Sequence, residues 1–260
     1  MGNRDILMTV VDNVAELRLS RPQALNAFTP AMLEEMLDAL AEVDSNPQIR
    51  ALLITGSGRA FSSGADLADE PLAADIDAGL LLETHYNPLI ARMFDLQVPI
   101  VTAVNGPAAG GGCSIALAGD IVIAARSAYF VQAFARIGLV PDVGATWLLP
   151  RIVGRNRASA MMMLGDRIDA ERAERWGLVH EVTEDDALLP AARAVAQRLS
   201  RGPTTAYRLI RHGIRRALEM PLTDTLTMER NHQREAGRTA DFTEGVAAFL
   251  EQRQPLFAGQ

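Results

Sequence analysis

Two short runs rich in apolar and β-branched residues, Ile6–Val10 and Val14–Leu19, flank the polar pair Asp12-Asn13. That pattern predicts an opening β-hairpin, with Pro22 closing its second strand. From Thr29 the period changes to that of a helix: Met32, Leu33, Met36, Leu37, Leu40 and Val43 fall on one stripe, behind Thr29 as N-cap and Pro30 in the first turn. Ala51–Thr55 is a short apolar strand followed by a Gly/Ser loop. A helix is expected near Leu80–Leu96, and Ile100–Val104 is another buried strand. The resulting β-α-β-α-β order predicts an α/β fold in which helices pack on a largely parallel sheet. Ile115–Ala118 reads as a short apolar helix opened by three glycines, and Ile121–Ala124 returns as a strand. Helical patterns at Asn156–Leu164, Ala170–Trp176 and Leu188–Leu199 follow, and nearly everything beyond Pro203 is helix-like.

Composition narrows the function classes. With 260 residues, 48% of them hydrophobic, the chain can bury a large core plus an appendage. A net charge of −7 and the lack of any basic stripe argue against nucleic acid as a partner. Cys113 is the only cysteine, so no intramolecular disulfide can form, and the start of the chain lacks the pattern of a signal peptide. The most apolar stretch, Ile100 to Ala125, is interrupted by Asn105, Pro107, five glycines and Asp120. Gly2 follows Met1, but Ile6 stands where a myristoylation signal requires Ser or Thr. A cytoplasmic chain without membrane anchor is expected. No tandem repeat and no metal signature such as H-E-x-x-H is present, and the four histidines, at 85, 180, 212 and 232, are dispersed.

Two loops could carry chemistry. Phe61-Ser62-Ser63-Gly64-Ala65-Asp66-Leu67 follows a strand and is built of small residues, as a ligand approaching main-chain N–H groups requires. Val104-Asn105-Gly106-Pro107-Ala108-Ala109-Gly110-Gly111-Gly112-Cys113-Ser114 turns a strand end into a helix, whose first N–H groups suit an anion or a developing oxyanion. Taken alone, each also fits a plainer role: the first a connector with Asp66 as a surface or capping carboxylate, the second a tight turn for close helix packing. The glycines fit neither G-x-G-x-x-G nor a P-loop. Gly112-Cys113-Ser114-Ile115-Ala116 echoes a nucleophile elbow, but a long Asn-Gly-Pro loop separates the serine from the strand that such an elbow needs. Cys113 reads as buried filler rather than a nucleophile.

Together, in order, these segments resemble the crotonase (enoyl-CoA hydratase/isomerase) superfamily: Arg21-Pro22 and Asn26-Ala27-Phe28, then the two loops, then Ile137-Gly-Leu-Val-Pro-Asp142, Leu149-Pro-Arg151, Gly165-Asp-Arg-Ile168, Trp176-Gly-Leu-Val179 and Phe242-Thr-Glu-Gly-Val-Ala-Ala-Phe249. The resemblance covers nearly the whole chain. It implies a crotonase-like ββα spiral core over residues 1–200 and a C-terminal helical oligomerisation segment over 201–260, assembling into a trimer or a hexamer of two trimers. It also implies an acyl-CoA thioester substrate, with coenzyme A as part of that substrate and no metal or redox cofactor. Backbone N–H groups of Ala65 and Gly111 would form an oxyanion hole for a thioester enolate. Ala24, Asn26, Ala27, Ala60, Ser62, Asp66 and Leu67 match the coenzyme A pocket.

The departures bear on the reaction. Hydratases of the family carry two glutamates that activate water, and Ser114 and Phe134 stand in their places. Asp142 matches a working carboxylate of several isomerases and of haloaroyl-CoA dehalogenases, although an N-cap role after Pro141 is an alternative. The runs Phe130–Ile137 and Trp147–Arg151 most resemble the oxepin-forming isomerases that act on ring epoxides in phenylacetyl-CoA breakdown and also lack both glutamates. An enoyl-CoA isomerase is therefore favoured. A hydratase with non-standard acid/base residues and a non-catalytic acyl-CoA-binding homologue are the alternatives. The acyl-chain site depends on the Glu70–Leu96 segment, where His85 is read as a partly exposed helical residue, with reach into the acyl pocket as the alternative.

Overall fold

The computed structural model describes residues 5–68 and 77–260, so the stretch 70–76 of the segment expected to shape the acyl site lies outside the described residues. Strands β1 (Ile6–Val11) and β2 (Val14–Leu19) pair antiparallel. Asp12 and Asn13 between them both adopt positive φ, 51° and 64°, as the tight turn of a twisted hairpin requires. Helix α1 (Pro30–Ser45) starts as expected: the Thr29 hydroxyl accepts from Met32 N–H at 3.2 Å, a cap typically worth about 1 kcal/mol. Its stripe of Met32, Leu33, Met36, Leu40 and Val43 is buried.

Strand β3 (Ala51–Gly56) is buried along its whole length, which explains its unbroken apolar run: both faces are covered. The helix expected near Leu80–Leu96 is divided into α2 (Ala78–Leu81), a π-helical turn at Leu82–Tyr86, and α3 (Asn87–Asp95). Strand β4 (Ile100–Val104) leads into β5 (Ala108–Ala109) and α4 (Gly111–Leu117). Here the structure corrects the sequence reading. The helix expected at Ile115–Ala118 behind three glycines already includes the last two of them, running from Gly111 to Leu117, and Gly112 fits its first turn against Ser62 where a side chain would collide.

Strands β6 (Ile121–Ala125) and β7 (Tyr129–Val131) precede a 3-10 turn at Phe134–Ile137 and helices α5 (Ala145–Val153) and α6 (Arg155–Leu164). Strand β8 (Ile168–Asp169), α7 (Ala170–Arg175), β9 (Glu181–Thr183) and α8 (Leu188–Ser200) complete the core. The main sheet has the order β1-β2-β3-β4-β6-β9 and is parallel from β2 onward. A second sheet, β5-β7-β8, is made of strands of two or three residues, too short to show a period in the sequence. Its pairing carries the start of α4 alongside β7.

Helices α9 (Thr204–Ala217), α10 (Leu222–Ala236) and α11 (Ala240–Leu250) follow. Buried Arg211 fastens α9 to the core. It donates to the carbonyls of Met93 and Leu96 at the end of α3 and pairs with Asp120 at 2.6 Å, satisfying orphan carbonyls of a helix C-terminus. In the single chain the apolar side chains of Leu218, Leu222, Leu226, Val246, Phe249 and Leu250 are exposed, Phe249 to 82%.

Candidate active site

Three segments converge at the start of α4, and their smallest residues decide how closely. Phe28 N–H donates to Gly64 C=O at 2.8 Å and Asp66 N–H donates to Phe28 C=O at 2.9 Å, forming a parallel bridge centred on Ala65. Alternation along an extended strand then turns the Ala65 N–H away from this ladder, and it has no acceptor among the described residues. Ser62 bridges Ala108 in the same way, with Ala109 N–H donating to Ser62 C=O at 2.9 Å. Gly64 sits at φ 90°, and a Cβ there would lie 2.9 Å from Ala109 O and 3.4 Å from Gly111 N. Glycine is thus required at 64 both by conformation and by space, and the contact puts the Gly111 amide beside Ala65. Gly112 is required by space alone, since a Cβ would meet Ser62 at 2.7 Å. Gly111 is the first residue of α4, whose opening N–H groups have no intrahelical partner. Among the described residues neither the Ala65 nor the Gly111 N–H has an acceptor, and Gly64 sets the two segments against each other, an arrangement suited to an oxyanion.

The coenzyme A residues expected from the sequence divide into two groups. Asn26 (φ 54°) is fully buried: its amide donates to Ser57 and Ala60 carbonyls at 2.9 and 2.8 Å and accepts from Arg21 N–H at 2.9 Å. The Ser62 hydroxyl, also fully buried, donates to Asn26 C=O at 2.8 Å. Asp66 pairs with Arg21 at 2.9 Å and accepts from Ala68 N–H, so it is neither a free surface carboxylate nor a helix cap. These side chains, with buried Ala27 and Ala60, tie the loops together, and only their backbones remain to meet a ligand. Leu67 is exposed and Ala24 half-buried, so their side chains are open to one. Arg21, which clasps the Ala27 carbonyl and Asp66, had no assigned role in the sequence reading although Arg21-Pro22 was part of the motif.

Asp142 lies on the other side. The turn Pro141–Gly144 contains Val143 at φ 50° and Gly144 at φ 76°. A β-branched residue in the left-handed region is strained by about 1–3 kcal/mol. The Val143 side chain packs over Gly111, with Cγ2 3.5 Å from where a Gly111 Cβ would stand, and the Tyr86 ring lies 3.7 Å from the same point. The N-cap position of α5 belongs to Gly144, and no side chain caps it. Asp142 is therefore not that helix's cap. Its Oδ1 is buried without a hydrogen-bond partner among the described residues, and burial pushes its carboxyl up from the ordinary 3.8 to about 6.

The two positions of the missing glutamates are occupied differently. The Phe134 ring stands 3.6 Å from where a Gly110 Cβ would be, an apolar wall against the oxyanion loop. Ser114 is buried in the first turn of α4. Neither is a group of ordinary acid/base strength. Burial pushes the Cys113 thiol up to about 12, so it is inert filler. His85 is half-buried in the π-helical turn, between Glu34 (3.3 Å) and Thr84 (2.7 Å). Among the described residues no cluster of three or more His, Cys, Asp and Glu side chains is placed to hold a metal ion.

The enoyl-CoA hydratase/isomerase family model matches residues 9–260. The chain belongs to that family. It is 45% identical over 258 residues to the 1,2-epoxyphenylacetyl-CoA isomerase of Escherichia coli (strain K12), covering 98% of both proteins. Over 260 residues it is 43% identical to a protein named "Probable enoyl-CoA hydratase" from Rhodobacter capsulatus, with full coverage of both. The crystal structure of an enoyl-CoA hydratase from Polaromonas sp. JS666 superposes with a TM-score of 0.90 at 34% identity, over 97% of this chain and 99% of that one. The fold is thus the crotonase fold expected from the sequence, and the chain is an enzyme of the acyl-CoA hydratase/isomerase type. No helix among the described residues is long and apolar enough to cross a membrane.

Proposed function

We propose that this family member is an enoyl-CoA isomerase that uses Asp142 for proton transfer. The observation that carries the reading is chemical. Of the three places where the family sets carboxylates only Asp142 is ionisable, and its carboxyl, raised to about 6, titrates in the range of a general base at neutral pH. In the proposed reaction the Asp142 carboxylate takes a proton from the carbon next to the thioester. The C–H electron pair moves into the enolate, whose oxygen accepts from Ala65 and Gly111 N–H. The same carboxyl then returns the proton two carbons further along, and the double bond has moved. Each oxyanion donor typically contributes about 2.7–4 kcal/mol to such a barrier. Phe134 supports isomerisation over hydration, because an apolar ring cannot hold or activate water.

The identity to 1,2-epoxyphenylacetyl-CoA isomerase favours a ring-containing acyl group and a place in phenylacetate breakdown. Hydration is the second reading, favoured by the relative named a hydratase. Incubation with 3-enoyl-CoAs and ring-containing acyl-CoAs in deuterated water, with product identification, tests both. Shifted double bonds with exchange of the α-proton support the isomerase. A 3-hydroxyacyl product would replace it with the hydratase, and binding without exchange would leave only a coenzyme A carrier.

The thioester's coenzyme A is assigned to the loops around Ala24, Asn26, Ala27, Ala60, Ser62, Asp66 and Leu67, largely through main-chain groups. The apolar faces of α9–α11 are assigned to contacts between copies in a homotrimer or a hexamer of two trimers, since exposed apolar surface of this extent is ordinarily covered. Light scattering at micromolar concentration checks this, a monomer being the contrary result.

A further inference from the structure

Ser114 is 1% exposed and lies one helical turn from Gly111 in α4. Its hydroxyl carries one hydrogen and has two acceptors in reach, Gly110 C=O at 3.4 Å and Asp142 C=O at 3.2 Å. The first would be back-bonding within its own helix. The second, the shorter, reaches across the fold to the turn that carries the ionisable group. Asp142 C=O also accepts from Ala145 N–H at 2.9 Å. The peptide so gripped leads directly into Val143 and Gly144, both left-handed. A β-branched residue keeps that conformation only where its surroundings impose it. Three restraints are visible: the packing of Val143 over Gly111, the Ala145 N–H bond and the Ser114 hydrogen bond. The first and the last come from the turn of α4 that also supplies the Gly111 N–H.

We propose that Ser114 is a positioning residue, whose hydroxyl fixes the Asp142–Val143 peptide and so holds the Asp142 carboxylate at a set place relative to the oxyanion donors. The inference rests on the reading of Asp142 as the general base. Ser114 itself touches no reacting atom. Without its hydrogen bond the strained turn relaxes, the carboxylate gains access to water, and its pKa falls back toward the ordinary carboxylate value. Among the described residues no charged group contributes to the present shift, only burial and the Asp142 backbone N–H.

The test compares pH profiles of kcat and KM for the full chain and for S114A, S114C, S114T and D142N, on a 3-enoyl-CoA that the unaltered protein isomerises. S114A and S114C are expected to lower kcat roughly 5- to 30-fold with KM within about twofold, as a displaced catalytic group does. In both, the acid limb of the kcat profile should move down from about 6 by at least about one pH unit. S114T, which keeps a hydroxyl, should retain the parental limb. Loss of packing alone would lower activity and melting temperature without moving the limb. An unmoved limb in S114A with kcat within twofold assigns the hydroxyl to Gly110 and overturns the proposal, as does equal loss in all three Ser114 variants. If D142N retains turnover, the general-base reading itself fails. If D142N is inactive while S114A matches the parent, only the positioning role fails.

Discussion

The oxyanion loops and the Asp142 turn meet at Gly111 but are held by opposite means. The loops contain no strained side-chain-bearing residue at the donors. Gly64 accepts φ 90° freely, and bridges at Phe28–Ala65 and Ser62–Ala108 fix the Ala65 and Gly111 amides through main-chain hydrogen bonds. The Asp142 turn instead places a valine at φ 50° and leaves a buried carboxylate oxygen without a partner among the described residues. Backbone donors belong to the fold and survive most substitutions that keep the backbone in place. In the proposed reaction a single side chain carries the proton transfer, so the reaction can change while the scaffold stays the same.

The sharpest way to break the comparison is Gly64→Ala, which places a methyl 2.9 Å from Ala109 O and 3.4 Å from Gly111 N in a left-handed residue. Since one oxyanion donor is worth about 10²–10³ in kcat and this change moves both, turnover should fall by roughly 10³-fold or more. Steady-state kinetics would show it, and activity within tenfold of the parent would mean that the loops do not supply the donors.

Asp142→Asn leaves the loops intact. Isomerisation and α-proton exchange are expected to fall at least about a hundredfold, while calorimetric titration with a coenzyme A thioester should give a Kd within about threefold. The unaltered protein should lose kcat about tenfold per pH unit as pH drops below about 6, where Asp142 becomes protonated and cannot accept a proton. A profile flat down to pH 5 would remove Asp142 from the proton transfer.

The smallest expected effect is on stability. Because the Asp142 pKa is raised in the folded state, its charged form opposes folding, and the penalty grows as pH rises from about 3.8 through about 6. At pH 8 Asp142→Asn should therefore stabilise the chain by on the order of 1–2 kcal/mol, reduced from the full shift because the group is partly exposed. Urea denaturation at pH 8 and pH 5 checks the sign, since the gain should shrink at the lower pH.

Much of the fold was legible in the sequence where local chemistry and tertiary demands agree. Asp12-Asn13 marked the hairpin, Thr29-Pro30 marked the start of α1, and unbroken apolar runs marked β3 and β4 as covered on both faces. The ordered motifs also singled out Ala65, Gly111 and Asp142, the residues on which the proposed reaction rests. The β5-β7-β8 sheet was not legible, because strands of two or three residues have no period of their own. Nor was the break at Leu82–Tyr86, which brings the Tyr86 ring against Gly111.

The sequence by itself determined most of the longer elements, the family, and the absence of glutamate at positions 114 and 134, for these follow from residue types and their order. Tertiary structure alone decided that Asn26, Ser62 and Asp66 are fasteners between loops, that Asp142 caps no helix, and that Ser114 reaches its carbonyl. The reason is physical. A hydrogen bond between residues 28 positions apart, a φ of 50° at a valine and the desolvation of one carboxylate all depend on what the rest of the chain packs around them.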